Sequence, residues 1–128
     1  MADVAGVVTI TEKAHIGTIR KIIFAWTSGQ GIYDGTAAGT TTLAYDGELL
    51  GMTTIPGTVG DAPTDNYDLT VKDVDGHDVL LGAGTDRDTA NTEHVARASL
   101  AAVAGSVLTL AVAAAGDTKK GTVVLYVR

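Results

Sequence analysis

Residues 17–28, GTIRKIIFAWTS, decide the fold class of this chain. β-Branched and aromatic residues are frequent in the segment, and such side chains pack well on the pleated surface of a strand. Ile19, Lys21, Ile23 and Ala25 alternate with the side chains between them, but beyond the first pair neither set is cleanly polar. Apolar residues on both faces are typical of a strand inside a sheet. We therefore predict a buried central strand here.

Further strand-like segments recur at spacings of about 8 to 15 residues. The pair Asp46–Gly47 is the strongest short-range hairpin signal and predicts a turn between two strands. Residues 83–102 are compatible with an irregular helix or a long loop. About eight strands predict an all-β fold, a single-domain antiparallel β-sandwich or small β-barrel. The other predicted strands are GVVTITEKA (6–14), TTTLAYDGELLGMTTIPG (40–57), YDLTVK (67–72), DVLLG (78–82), SVLTLAVAAA (106–115) and GTVVLYVR (121–128).

The segment YDLTVKDVDGHDVL, residues 67–80, places three aspartates around one glycine, as calcium loops do. An EF-hand loop needs acids at positions 1, 3 and 5, glycine at 6 and glutamate at 12. Counted from Asp73, the glycine comes at position 4, and position 12 is Gly84. We therefore predict a hairpin turn at Asp75–Gly76, with glycine supplying the positive φ. A weak cation site is the alternative.

Charge is unevenly distributed along the sequence. The 128 residues carry a formal net charge of −6, which argues against general nucleic-acid binding because that requires a basic face. Residues 28–95 hold twelve acids and two bases, whereas the two flanks hold three acids and seven bases. Two interpretations stay open: acidic loops that are simply solvated, or a module with a basic end towards a partner and an acidic end towards solvent.

The common catalytic and cofactor motifs are missing from the sequence. There is no cysteine, so disulfides and thiolate metal sites are excluded. His15, His77 and His94 form no paired zinc-ligand motif. No serine lies in a G-x-S-x-G elbow, and the glycine-rich runs match neither a dinucleotide loop nor a P-loop. We expect a protein that is not an enzyme, with no catalytic residue, no metal ion and no cofactor.

Aromatic residues are scarce, and this limits the binding sites that the chain can form. We expect Trp26, on the central strand, to lie in the core. Tyr33 and Tyr45 are the better contact candidates, although partial burial against a neighbouring strand explains them equally well. No aromatic platform for sugar or single-stranded nucleic acid is evident. No segment has the form of a signal peptide or approaches the roughly 20 apolar residues of a membrane-spanning helix, so we expect a soluble protein.

Four stretches together carry a family resemblance: GTIRKIIFAWTS (17–28), AYDGELL (44–50), TIPGTVGDAPTDNYDLTVKDVDGHDVLLGAG (54–84) and GTVVLYVR (121–128). Over roughly residues 7–128 the chain resembles small proteins encoded among the head genes of tailed bacteriophages, most of all head decoration (cement) proteins. The resemblance implies a virion structural protein on the outer capsid surface, made in the host cytoplasm. Its implied partner is the major capsid protein, and it implies a homo-oligomer, with a trimer favoured, that binds neither nucleic acid nor membrane.

Three basic residues are our candidates for the capsid contact: Lys13, Arg20 and Lys21. They lie in the basic N-terminal part of the chain, which can meet an acidic capsid surface while the acidic middle faces solvent. A free edge strand completed by a neighbouring chain would account for an oligomer. We expect residues 1–6 to form a flexible arm that orders on binding.

Two other functions fit the same sequence. One is another virion component, such as a neck, tail-tube or head-fibre protein, which the β-rich composition would also suit. The other is a binding module for a host-surface carbohydrate, with the loops at 28–40 and 57–66 as its contact region. The scarcity of aromatic residues weighs against the carbohydrate module.

Overall fold

The computed structural model describes residues 3–12 and 18–128, which form nine β-strands and three short 3₁₀ turns. The predicted all-β fold is confirmed. No helix in this part of the chain has the length and apolar character needed to cross a membrane. The strands are β1 Val7–Glu12, β2 Arg20–Thr27, β3 Ala37–Thr40, β4 Tyr45–Pro56, β5 Asp68–Lys72, β6 Glu93–Ala96, β7 Ala102–Ser106, β8 Thr109–Ala113 and β9 Lys120–Val127; the 3₁₀ turns are Gly31–Tyr33, Val59–Asp61 and Arg97–Ser99.

The strands pair into two antiparallel sheets. The larger sheet has the order β1-β2-β9-β4-β6, and β7 pairs with the first part of β4 beside this path. The smaller sheet has the order β3-β8-β5. Because β8 and β9 belong to different sheets, the connection between them crosses from one layer to the other. The buried apolar side chains form one cluster with contributions from both sheets.

The central position of β2 is confirmed, since the strand lies between β1 and β9. Its side chains Ile22, Phe24 and Trp26 are at most 1% exposed and point into the core. Burial of each such side chain contributes about 1.5–3 kcal/mol to folding. The opposite face of β2 is open at Lys21 and Ala25, which are exposed. The strand is therefore interior to its sheet but buried on one face only.

The predicted hairpin at Asp46–Gly47 is wrong, because β4 continues through this pair as one strand of twelve residues. The pairing of β4 with β7 shifts register between Tyr45 and Gly47, which marks a bulge. Gly47 has φ +130, and a Cβ at this position would overlap the carbonyl group of Arg128. The glycine thus permits the close approach of residue 128, whose backbone pairs with that of Glu48, and makes no turn.

The predicted turn at Asp75–Gly76 is present. Gly76 has φ +83, and its amide donates to the carbonyl oxygen of Asp73 at 3.0 Å. Ahead of the turn, Tyr67, Leu69 and Val71 are buried as the alternation predicted. The local sequence thus specifies both the strand and its end.

The segment DVLLG, residues 78–82, does not form the predicted partner strand of β5. It contributes one isolated bridge, between Lys72 and Asp78, and the strand partner of β5 is β8. Leu81 and Gly82 both have positive φ values, 52° and 83°, which direct the chain out of an extended path. Leu80 is fully buried all the same, so its apolar character reflects the core and not a strand.

Residues 83–102 are neither the helix nor the plain loop considered above. The Asp88 carboxylate accepts hydrogen bonds from the amides of Ala90 and Asn91, a local turn that Asp side chains favour. Strand β6 follows and pairs with β4. Three observed strands, β3, β6 and β7, were not predicted, whereas DVLLG is not a strand and the two strands predicted within residues 40–57 form one. The count is therefore nine where roughly eight were predicted.

The described part of the predicted N-terminal arm, residues 3–6, lies along the loop before β3. Val4 and Gln30 exchange backbone hydrogen bonds of 3.3 and 2.8 Å. The Asp3 carboxylate accepts a hydrogen bond from the Ile32 amide at 3.1 Å. These contacts join residues 3–6 to the 3₁₀ turn Gly31–Tyr33. That the arm orders on binding stays a prediction.

We predict that Gly121→Ala destabilises the fold by about 2–3 kcal/mol. The indole of Trp26 lies against Gly121, and a Cβ there would come within 2.7 Å of Cε2 and 2.9 Å of Nε1. Urea unfolding followed by Trp26 fluorescence measures the loss. The matched control is Gly60→Ala, because a Cβ at Gly60 has no atom within 4 Å. Equal stability of the two variants would contradict the proposed packing constraint.

Candidate interaction surface

Of the three predicted contact residues, the structure places two, and it directs them to opposite faces of β2. The guanidinium carbon of Arg20 lies 5.9 Å from the centre of the Tyr45 ring, a cation–π distance. Lys21 is exposed and lies beside Tyr126 of β9 on the other face. Adjacent residues of a strand alternate in direction, so Arg20 and Lys21 do not converge. Lys13 lies outside the described residues.

Tyr45, considered a contact candidate from the sequence, is buried at 2% exposure. Its hydroxyl donates a hydrogen bond of 2.8 Å to the Glu12 carboxylate. Burial raises the pKa of Tyr45, and the hydrogen bond to Glu12 raises it further. Tyr33 is exposed at 40% and borders an apolar groove of about 490 Å³ on the smaller sheet, which Ala38 and Ala111 also line. Of the two tyrosines, only Tyr33 is accessible to a partner.

The Glu12 carboxylate joins the end of β1 to the β3–β4 loop. It accepts hydrogen bonds from the amide and hydroxyl of Thr42, at 3.2 and 2.6 Å, and from the amide of Leu43 at 3.1 Å, besides that from Tyr45. Partial burial acts to raise the pKa of Glu12, but the four hydrogen bonds together act more strongly and hold it below its ordinary value of 4.5. The group is thus a structural clamp.

We predict that Glu12→Gln lowers the free energy of unfolding by about 1 kcal/mol at pH 7, a figure reduced for solvent exposure. A carboxyl group whose pKa is depressed by folding stabilises the native state above its unfolded pKa, and that stabilisation is lost as pH falls through the folded pKa. The difference between wild type and variant should therefore shrink below about pH 4. Urea unfolding at pH 7 and pH 3.5 measures it.

The control for this clamp is Glu48→Gln. Glu48 is half exposed and contacts Arg97 at 3.7 Å, a surface ion pair that contributes little. A loss at pH 7 that is as large for Glu48→Gln as for Glu12→Gln would contradict the assignment of the clamp.

Two of the three aspartates in the 73–78 segment, Asp73 and Asp78, accept hydrogen bonds from backbone amides nearby. The Asp73 carboxylate accepts hydrogen bonds from the amides of Asp75 and His77, both at 3.0 Å. The Asp78 carboxylate accepts from the amides of Leu80 and Gly82. Within residues 3–12 and 18–128, no group of three or more His, Asp or Glu side chains is placed to hold a metal ion.

The larger sheet presents one side away from the core, which we call the outer face. We keep this name for the rows that run through residues 120–126 of β9, in which no residue is acidic although the chain contains 15 acids. Beyond these rows, Glu48 of β4 points to the same side, because its neighbour Leu49 is buried in the core. The basic members of the outer face are Lys21, Lys120 and His94, and five of the others are threonines. The outer face consists of Val7, Thr9 and Thr11 of β1; Lys21, Ile23, Ala25 and Thr27 of β2; Lys120, Thr122, Val124 and Tyr126 of β9; Gly51, Thr53 and Ile55 of β4; and His94 and Ala96 of β6.

Strand register places four outer-face residues in one row across four strands. Thr9 pairs with Ala25, Ala25 with Thr122, and Thr122 with Ile55. Because Ala25 has a small side chain and two of the others are threonines, the row forms the floor of a recess of about 290 Å³. Lys120 and Thr27, in the next row, also line it, together with Pro56 and Gly57. The recess is shallow and open to solvent.

The acidic middle and the basic flanks of the sequence lie side by side at the other end of this sheet. Glu48 belongs to the acidic middle, and it contacts Arg97 and pairs through its backbone with Arg128. β4, from the middle, is inserted between β9 and β6. The absence of acids therefore holds for the rows of the outer face defined above and ends at Glu48, so it follows position in the sheet and not position in the sequence.

No family model, curated protein or solved structure matches this chain.

Sequence reasoning missed most of the outer face. Each strand showed its own alternation, as in Val7–Thr9–Thr11 or Lys120–Thr122–Val124. The missing information was the register, which joins residues more than 90 positions apart, such as Ala25 and Thr122. One signal was available in the sequence. The inward–outward alternation of β1, β2 and β9 identifies the outward positions of each strand, and none of these positions is acidic.

Proposed function

We propose that this chain is a structural protein of a tailed-bacteriophage virion, namely a head decoration protein that binds the outer capsid surface and stabilises the junctions between capsomers. The sequence resemblance described above supports the assignment to this family. The observation that carries the proposal is the outer face, whose rows through residues 120–126 of β9 contain no acid on a chain of net charge −6. Such a surface is suited to a stable contact with a larger, acidic partner.

The composition of the outer face fits a protein contact. Ile23, Ile55 and Tyr126 supply apolar area, and Ile55 is 39% exposed. Threonines supply short, stiff hydroxyl side chains that lose little conformational entropy on binding. Interfaces commonly place apolar and aromatic residues at their centre with polar groups around them. Lys21 and Lys120, in the outermost rows, are placed to contribute charge at such a rim.

A free strand edge supports self-association of the same protein. β1 and β6 are the two ends of the larger sheet, and among residues 3–12 and 18–128 the one strand that pairs with β6 is β4. An unpaired edge offers backbone donors and acceptors to a neighbouring chain. We propose that such pairing builds a homo-oligomer, with a trimer favoured, whose outer faces bind the major capsid protein. The protein is then made in the host cytoplasm and ends on the capsid exterior.

The test is to mix the purified protein with expanded, undecorated capsids of the phage that encodes it and to pellet the capsids. We predict a fixed number of copies per capsid and a raised capsid melting temperature, because ligands of the assembled state stabilise it by mass action. Light scattering of the free protein reports its oligomeric state, for which a trimer has three times the 13.0 kDa of one chain.

Charge reversal provides the internal comparison. Lys21→Glu lies on the outer face and should reduce loading strongly, whereas Arg20→Glu lies on the opposite face beside Tyr45 and should leave loading of the folded variant intact. If the pelleted capsids carry no bound protein and all of the wild-type protein stays in the supernatant, the decoration function is rejected in favour of a neck, tail or host-binding role.

A further inference from the structure

We infer that the recess on the outer face is a carboxylate-binding subsite, which receives an Asp or Glu side chain from an acidic segment of the protein partner. The identity of that partner as a capsid protein rests on the proposed function above. The inference that the recess binds a carboxylate is independent of that function, because it follows from the residues that line the recess.

The size of the recess matches a single side chain. At about 290 Å³, the recess lies just below the range of roughly 300–1,000 Å³ that is usual for small-molecule and cofactor pockets. It is open and shallow, so it would leave most of a cofactor exposed. One side chain projecting from a neighbouring protein surface is the occupant that its dimensions fit.

Hydrogen-bond donors without a partner in the described chain surround the recess. Among the described residues, Lys120 takes part in neither of the two ion pairs, which are Arg87–Glu93 and Arg97–Glu48. The hydroxyl groups of Thr9, Thr27 and Thr122 likewise have no hydrogen-bond partner in the part of the chain that the structure describes. One cation and three hydroxyl groups without partners therefore line one recess.

The lining of the recess favours a carboxylate side chain over a free inorganic anion. Ala25, Ile55 and Pro56 form an apolar part of the lining, and this can cover the methylene stem of Asp or Glu. Phosphate and sulfate have no such stem, so contact with the apolar part of the lining does not add to their binding free energy. A carboxylate also needs only one cation, and Lys120 supplies one.

The acid that the recess is proposed to bind belongs to a different protein. Asp61 follows β4 at this end, with its Cβ 3.1 Å from the place that a Cβ on Gly57 would occupy, but it forms no ion pair with Lys120 within the described residues. The rows of the outer face offer no acid to a second copy that docks face to face, and such docking would bring like charges together. Glu48, an outward acid beyond these rows, already contacts Arg97. The face is therefore complementary to the acidic surface of a different protein.

The direct test uses the full chain labelled with ¹⁵N and the peptide acetyl-Ala-Ala-Glu-Ala-Ala-amide as probe. We predict saturable amide shifts centred on Thr9, Ala25, Lys120 and Thr122, and binding about tenfold weaker or worse for the matching Gln peptide. Equal shifts with both peptides, or shifts centred elsewhere, would overturn the subsite. Stronger binding of inorganic phosphate than of the Glu peptide would overturn the assignment to a carboxylate side chain.

Two variants each change one residue of the recess and leave the other lining residues in place. Lys120→Glu reverses the proposed cation, and Ala25→Leu fills the recess while leaving charge unchanged; both positions are exposed, so the fold should persist. Each should weaken peptide binding by about tenfold or more. Lys119→Glu is the matched control, with the same change of charge, because the Lys119 ammonium donates to the Gly60 carbonyl oxygen. Its binding should stay within about twofold of wild type.

Capsid pelleting with the same variants separates this inference from the proposed function. If wild type, Lys120→Glu and Ala25→Leu load equally well, the subsite is rejected and the decoration function stands. If wild type fails to load but binds the Glu peptide at the recess, the function is rejected and the subsite stands. A loss of oligomer mass in Lys120→Glu, measured by light scattering, would identify a second copy as the occupant and overturn the assignment to another protein.

Discussion

The larger sheet depends on one constraint, the insertion of β9 between β2 and β4. β9 pairs with β2 over eight residues and with β4 over most of its length. Near its beginning, Gly121 lies directly under the Trp26 indole; near its end, residue 128 passes close to Gly47. Two glycines thus allow the backbone of β9 to approach its neighbours at both ends. The register that results produces the core on one side and the outer face on the other.

Local sequence patterns were informative where a single strand determined the outcome. The alternation of Tyr67, Leu69 and Val71 specified which side chains are buried, and the apolar run from Ile22 to Trp26 specified a strand inside its sheet. Alternation needs only the two-residue period of a strand and a core to one side. Elements of this kind can be recognised without knowledge of their partners.

Patterns failed where a distant contact overrode the local preference. Asp46–Gly47 has the composition of a hairpin turn, but Gly47 is used for an approach by a residue 81 positions away. DVLLG is apolar because Leu80 packs in the core, and positive φ values end its extended path. The outer face escaped notice for the same reason, since its rows join β1, β2, β9 and β4, and no local pattern encodes that order.

The position of β9 also has a consequence for biosynthesis. On a ribosome, β2 and β4 emerge long before β9, and neither can complete its pairing in the larger sheet until residues 120–127 are available. Contacts of such large sequence separation slow folding. Until then the chain exposes the edges of two apolar strands, a state prone to aggregation at high concentration. A cell that makes many copies at once would therefore place its strongest demand on chaperones during the interval before the last strand is added.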